Sequence, residues 1–91
     1  MRMVEGSSLV LRCSATGNPT PTLEWWRDGR PLYQTKKIHF QDNKQNIKML
    51  NLTTEDSGLY VCAASNKIGT VASKTNVGVY GKIFLCSVTL E

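Results

Sequence analysis

Three cysteines, one histidine and one Asn-x-Thr triplet are the side chains of this 91-residue chain with distinctive chemistry. Cys13, Cys62 and Cys86 make an odd count, so any single pairing leaves one thiol over. Paired cysteines belong to oxidising compartments. His39 is the one histidine. A metal site needs several ligands, and one histidine with scattered cysteines is too few. No carboxylate pair falls at telling positions and no glycine-rich phosphate loop occurs, so we expect no enzyme, no cofactor and no metal. His39 is read as a solvent-facing strand residue. Asn51-Leu52-Thr53 is an acceptor triplet for N-glycosylation, whereas Asn18-Pro19-Thr20 has proline in its middle position and is not. Leu52 is expected to be buried, which turns Asn51 outward.

The elements that must carry these groups read as strands. Leu9, Leu11 and Cys13 alternate with Val10 and Arg12, the period of a half-buried strand. Residues 14–21 form a Gly/Asn/Pro-rich loop. Leu23 and Trp25 point one way, Glu24 and Trp26 the other. Asp28-Gly29 is a hairpin turn. Residues 30–35 are expected to form an edge strand that tolerates Pro31. Ile38 to Phe40 is a further strand, Asp42 to Lys44 a turn, and Ile47, Met49 and Leu52 continue the buried set. Tyr60, Cys62 and Ala64 face inward, Asn66 to Gly69 turns the chain, and Val71 to Tyr80 is the last strand. No helix is expected.

Bulk properties narrow the partners. The chain makes one domain. Apolar content of 41% supports a small core, and a formal charge of +4 is short of the density of a nucleic-acid-binding domain. No apolar run approaches the ~18 residues of a membrane span. Met1-Arg2-Met3 does not open a signal peptide, so an excised domain or a piece of a longer chain is expected.

One pattern names a family. Eleven residues (14–24) separate Cys13 from Trp25, and 36 (26–61) separate Trp25 from Cys62. With Val4-Glu5-Gly6-Ser7, Leu9 to Cys13, Gly17-Asn18-Pro19-Thr20-Pro21, Trp25-Trp26-Arg27-Asp28-Gly29, Asp56 to Cys62 and Asn66-Lys67-Ile68-Gly69, the chain resembles the I-set of the immunoglobulin superfamily over roughly residues 4–80. The resemblance implies an all-β, Greek-key β-sandwich over residues 1–81 and a tail over 82–91. It implies a Cys13–Cys62 disulfide beneath Trp25, with Cys86 left over. Closing 48 intervening residues (14–61) contributes roughly 4 kcal/mol in the chain-entropy model. Tyr60, two residues before Cys62, is the tyrosine corner, its hydroxyl bonding back near Asp56. Asp56 accepts local N–H groups, and Gly58 suits a tight approach. Only three residues precede Val4, so the first strand, strand A of such domains, is expected to be mostly missing.

The resemblance also implies a function. The expectation is a non-enzymatic extracellular recognition or adhesion module, cell-surface or secreted, that binds a protein ligand or a homophilic partner. An intracellular filament or scaffold domain acting as a mechanical spacer and a heparin-binding growth-factor receptor or ligand domain are the alternatives. Trp26, Leu59 and Val61 are expected to form an exposed apolar stripe on the outer face of the C-F-G sheet, whose strands carry Leu23 to Arg27 (C), Tyr60 to Ala64 (F) and Val71 to Tyr80 (G), the kind of patch that marks interaction sites. Arg27, Arg30, Lys36 and Lys37, with Lys44 and Lys48 beyond, form a cationic cluster suited to heparan sulfate, interrupted by Glu24, Asp28 and Asp42. In the tail, Phe84, Cys86, Val88 and Leu90 alternate with Ile83, Leu85, Ser87 and Thr89. The tail is either a linker, next-domain start or variant end, or a strand that pairs with an edge strand A left open, within the molecule or across a homodimer. Neither nucleic acid nor direct membrane insertion is expected.

Overall fold

The computed structural model describes residues 1–81. Eight strands follow the alternation of the sequence: β1 (Arg2–Val4), β2 (Leu9–Arg12), β3 (Thr22–Arg27), β4 (Arg30–Pro31), β5 (Ile38–Gln41), β6 (Asn46–Met49), β7 (Gly58–Ser65) and β8 (Thr70–Tyr80). They form a five-stranded sheet, β1-β8-β7-β3-β4, and a three-stranded sheet, β2-β6-β5. All neighbours are antiparallel except β1 and β8, which run parallel with Arg2 opposite Gly78. Inward residues of both sheets make one core: Leu9, Leu11, Ile38, Ile47 and Met49 from one, Leu23, Trp25, Tyr60, Cys62, Val77 and Val79 from the other.

Two bonds clamp the sheets together at that core. Cys13, just past β2, is joined to Cys62 of β7, with Cα atoms 6.3 Å apart. Trp25 lies directly opposite Cys62 in the β3–β7 register. Its ring is buried and its indole N–H donates to the Lys44 carbonyl at 2.6 Å, in the β5–β6 turn of the facing sheet. The one polar atom of a large buried ring therefore has a partner, as burial requires.

Two expectations need correction. The strand expected over residues 30–35 pairs only through Arg30–Pro31. Leu32 donates one further bond to the Trp25 carbonyl. Thr35 then closes a local turn, its N–H donating to the Ile38 carbonyl and its hydroxyl accepting from Lys37 and Ile38 N–H. That side chain offers the backbone an alternative to the ladder. The first strand is short, three residues on the edge of β8. A single 3₁₀ turn, Thr54–Asp56, stands where no helix was expected. The Asp56 carboxylate nucleates it by accepting the Thr53 N–H at 2.8 Å. The expected alternation of the tail lies outside the described residues.

A candidate protein-binding face and the clasp beneath it

Asp56 is the buried charged residue of the described core. Its carboxylate takes a 2.6 Å ion pair from Lys37 and a 3.5 Å contact from Arg27. Burial by itself would raise its pKa. The Lys37 ammonium, the Thr53 N–H and Arg27 outweigh that and hold it below the ordinary carboxylate value. The Asp56 carbonyl accepts the Tyr60 hydroxyl, the corner that the spacing of Tyr60 and Cys62 implied. Desolvation raises the Tyr60 pKa, so the phenol stays a donor. Three residues beyond the 3₁₀ turn, the Leu59 N–H donates to the Asp28 carboxylate at 2.9 Å. A Cβ on Gly58 would lie 2.5 Å from the same carboxylate, so the approach of β7 to the Asp28-Gly29 turn needs glycine there.

This clasp divides the expected cationic cluster. Arg27 and Lys37 turn to Asp56 and are half-buried, whereas Arg30 and Lys36 are exposed. Arg27 and Arg30 line a polar groove of about 480 Å³ together with Asp28 and Glu55. The four cations are therefore not one surface. Two serve an internal anion, and the groove beside Arg30 carries the carboxylates of Asp28 and Glu55, which repel sulfate.

The outer face of the five-stranded sheet is set by register. Trp26 lies opposite Val61, and Val61 opposite Lys74. On the other flank Trp26 faces Pro31. Leu59 is two residues along β7 on the same face, opposite Asn76. The structure thus brings Trp26, Val61 and Leu59 together. It also corrects their expected exposure: all three are half-buried, because cross-strand neighbours lie beside them on both flanks. Long polar side chains such as Lys74 cover apolar surface with their stems while the charge stays in water.

Asn51 is exposed with φ of 49°, on the loop that follows β6. Its neighbour Leu52 is buried, and the Leu52 backbone is held on both sides by Gly6 and Ser7. The triplet is therefore presented outward from a fixed loop. His39 is half-buried on β5 opposite Lys48, with its ring Nε2 beside the Lys36 carbonyl at 2.9 Å. Among the described residues no group of three or more His, Cys, Asp and Glu side chains converges.

Sequence reasoning did not single out a second feature. At the loop end of the sandwich an open groove of about 590 Å³ is lined by Ala15, Pro21, Ala64, Asn66, Ile68 and Val71, among others. Ile68 and Val71 are 78% and 72% exposed. Asn66 shapes the rim: its side-chain N–H donates to the Pro19 carbonyl at 2.9 Å, and its side-chain oxygen accepts from Ile68 and Gly69. The apolar Ile68 inside a turn of polar residues was the available signal.

The sandwich, the disulfide beneath Trp25 and the tyrosine corner define an immunoglobulin-type domain. Residues 1–79 match the model of the Immunoglobulin I-set domain, and the chain belongs to that family. It is 39% identical over 74 residues to vascular endothelial growth factor receptor 3 of Danio rerio, a match covering 81% of this chain and 6% of the receptor. It is 37% identical over 67 residues to neural cell adhesion molecule L1 of Rattus norvegicus, covering 74% of this chain and 5% of that protein. The chain thus spans a small fraction of these relatives. Titin domain M7 superposes with a TM-score of 0.80 at 29% identity, covering 88% of this chain and 84% of that one.

Proposed function

We propose that this domain is a non-enzymatic recognition module that binds a protein partner through the outer face of the five-stranded sheet, with Trp26 as anchor and Val61 and Leu59 beside it. The observation that carries the reading is the register that places an indole, a valine and a leucine side by side on a sheet face rather than in the core. Tryptophan is over-represented among residues that dominate binding energy, and half-buried anchors lose little side-chain entropy on docking. Similarity to a receptor and to a cell adhesion molecule supports a cell-surface or secreted setting. The outward Asn51 is then an N-glycan acceptor.

Beads coated with the domain, tested for self-adhesion and for binding to cells, measure this. Trp26→Ala should abolish adhesion while the melting temperature changes little. Adhesion that survives Trp26→Ala and Leu59→Arg would remove this face from consideration. A second reading, an intracellular filament domain, is favoured by the likeness to titin M7. The mass of the native protein, before and after deglycosylation and reduction, separates the two. A glycan on Asn51 with an oxidised Cys13–Cys62 bridge supports the extracellular setting, and an unmodified chain with reduced cysteines supports the filament. With Arg27 and Lys37 turned to Asp56, the heparan sulfate reading rests on Arg30 and Lys36, with Lys44 and Lys48 beyond, and retention on heparin in ~0.15 M salt tests it.

A further inference from the structure

The outer face of the five-stranded sheet differs from one side to the other. At the level of Trp26 the register runs Trp26, Val61, Lys74 across β3, β7 and β8. Two residues nearer the start of β3 it runs Glu24, Ala63, Ala72. β3 thus carries an indole and a carboxylate, β8 a methyl and an ammonium, and β7 is the spine between them. Ala63 and Ala72 lie side by side and leave a shallow floor, since neither side chain extends past Cβ. Glu24, Ala72 and Lys74 are exposed. Lys74 makes no ion pair among the described residues, and Glu24 has a loose 3.9 Å contact with the exposed Lys44. Within one copy Glu24 and Lys74 stand two strands apart, roughly 10 Å, too far to pair. These side chains lie on the face of the sheet, so their pattern is set by β3, β7 and β8 and not by what borders the last strand.

Bulk and acid on one side, with hollow and base on the other, make a surface complementary to itself. We propose that the partner of this face is a second copy of the domain, in a two-fold face-to-face pair whose axis runs along β7. The proposal rests on the reading that Trp26 anchors this face, and adds the occupant. The rotation lays β3 of each copy over β8 of the other, so every contact occurs twice. Each Trp26 enters the alanine floor of the second copy, and each Glu24 meets the second copy's Lys74. The two residues that offset these levels along a strand span ~6.6 Å, which the four-carbon stem of lysine bridges. Two sheets packed face to face lie ~10 Å apart, a gap that an indole over alanine fills. Eight residues of β7 at ~3.3 Å and three strands at ~4.8 Å give a patch of roughly 26 by 14 Å. Two such patches fall short of the ~1,200 Å² of a stable complex, so the pair is a weak one, with a dissociation constant of about 0.1–1 mM. Such a contact gains strength when many copies face one another on opposed surfaces.

Sedimentation equilibrium of the 91-residue chain at up to ~1 mM tests this, with Cys86→Ser in every sample so that a disulfide-linked dimer is not counted. Glu24→Lys and Lys74→Glu change exposed sites, and both should keep the parent melting temperature. Each places like charges together at two points and should weaken the dimer tenfold or more. An equimolar mixture of the two variants should recover the parent dimer within about twofold, because each reversed side chain then meets its opposite. That rescue is specific to a pair that joins position 24 of one copy to position 74 of the other. A chain that stays monomeric at ~1 mM, a dimer that both variants retain, or variants that the mixture does not rescue overturns the proposal. Adhesion to cells keeps this separate from the reading beneath it. A monomeric chain whose adhesion is lost in Trp26→Ala overturns the second copy and gives the face to an unlike protein. Adhesion and dimer both retained in Trp26→Ala remove the face itself.

Discussion

Val71 and Val79 are the same residue type on the same inner face of the same strand. Val79 is 4% exposed and Val71 is 72% exposed. The difference lies in what opposes each. Around Val79 the strand is flanked by β1, and the Ser57 hydroxyl accepts the Val79 N–H at 2.8 Å beside the Asp56 clasp. Around Val71 the facing sheet of three short strands has ended, and loops border an open groove. One end of the sandwich is thus tied by β1 and the Asp56 clasp, and the other borders an open groove. Placing a valine in a strand decides its face; the opposing layer decides its burial.

Substitutions at the clasp should cost stability, and those at the open end should cost little. The largest effect belongs to the bridge, which lies between the two, with Cys62 opposite Ser73. Replacing Cys13 and Cys62 together with alanine should lower the unfolding free energy by about 4 kcal/mol, read from urea midpoints. Asp56→Asn comes next, at about 2–3 kcal/mol, because Lys37 and Arg27 are left half-buried beside a neutral amide. The same clasp sets an acid limit. The folded pKa of Asp56 lies below the ordinary carboxylate value. Its contribution is therefore complete above that value and is lost as pH falls through the lowered one. Urea midpoints of the parent should fall on acidification below about pH 4, and the fall should be shallower in Asp56→Asn. Gly58→Ala should cost about 1–2 kcal/mol by displacing the Asp28 carboxylate from the Leu59 N–H. Val71→Asp should change stability by less than about 0.5 kcal/mol, the typical range for an open surface site. A loss at Val71 as large as that at Gly58 would erase the distinction between the two ends.

Much of the tied end was legible in the sequence, because it depends on local spacing. Tyr60 two residues before Cys62 fixes which side chains share a face, and Asp56 four residues before Tyr60 lies within reach of its hydroxyl. The alternation in β2, β3 and β7 names most of the core. Contacts between distant segments were not legible. That Lys37 and Arg27 turn inward to one carboxylate depends on how the segment before β5 crosses the end of β3, and sequence order leaves that open. The half-burial of Trp26 depends on Pro31 and on the β7–β8 register. The open groove depends on where the smaller sheet stops. The expected strand over residues 30–35 failed because the Thr35 side chain competes for the backbone bonds that a ladder would have used.

The parallel arrangement of β1 and β8 has a mechanical consequence. Tension applied between the two ends of the domain draws β1 toward the groove and draws β8, through Gly81, the opposite way. Neighbours that run parallel and are pulled in opposite directions slide past one another, so the rungs from Met1 to Glu5 share the load together. An antiparallel pair gripped at its adjacent ends would peel one rung at a time. The short β1 edge of the larger sheet is thus oriented to resist shear, and rupture of its few rungs would be the first event under force.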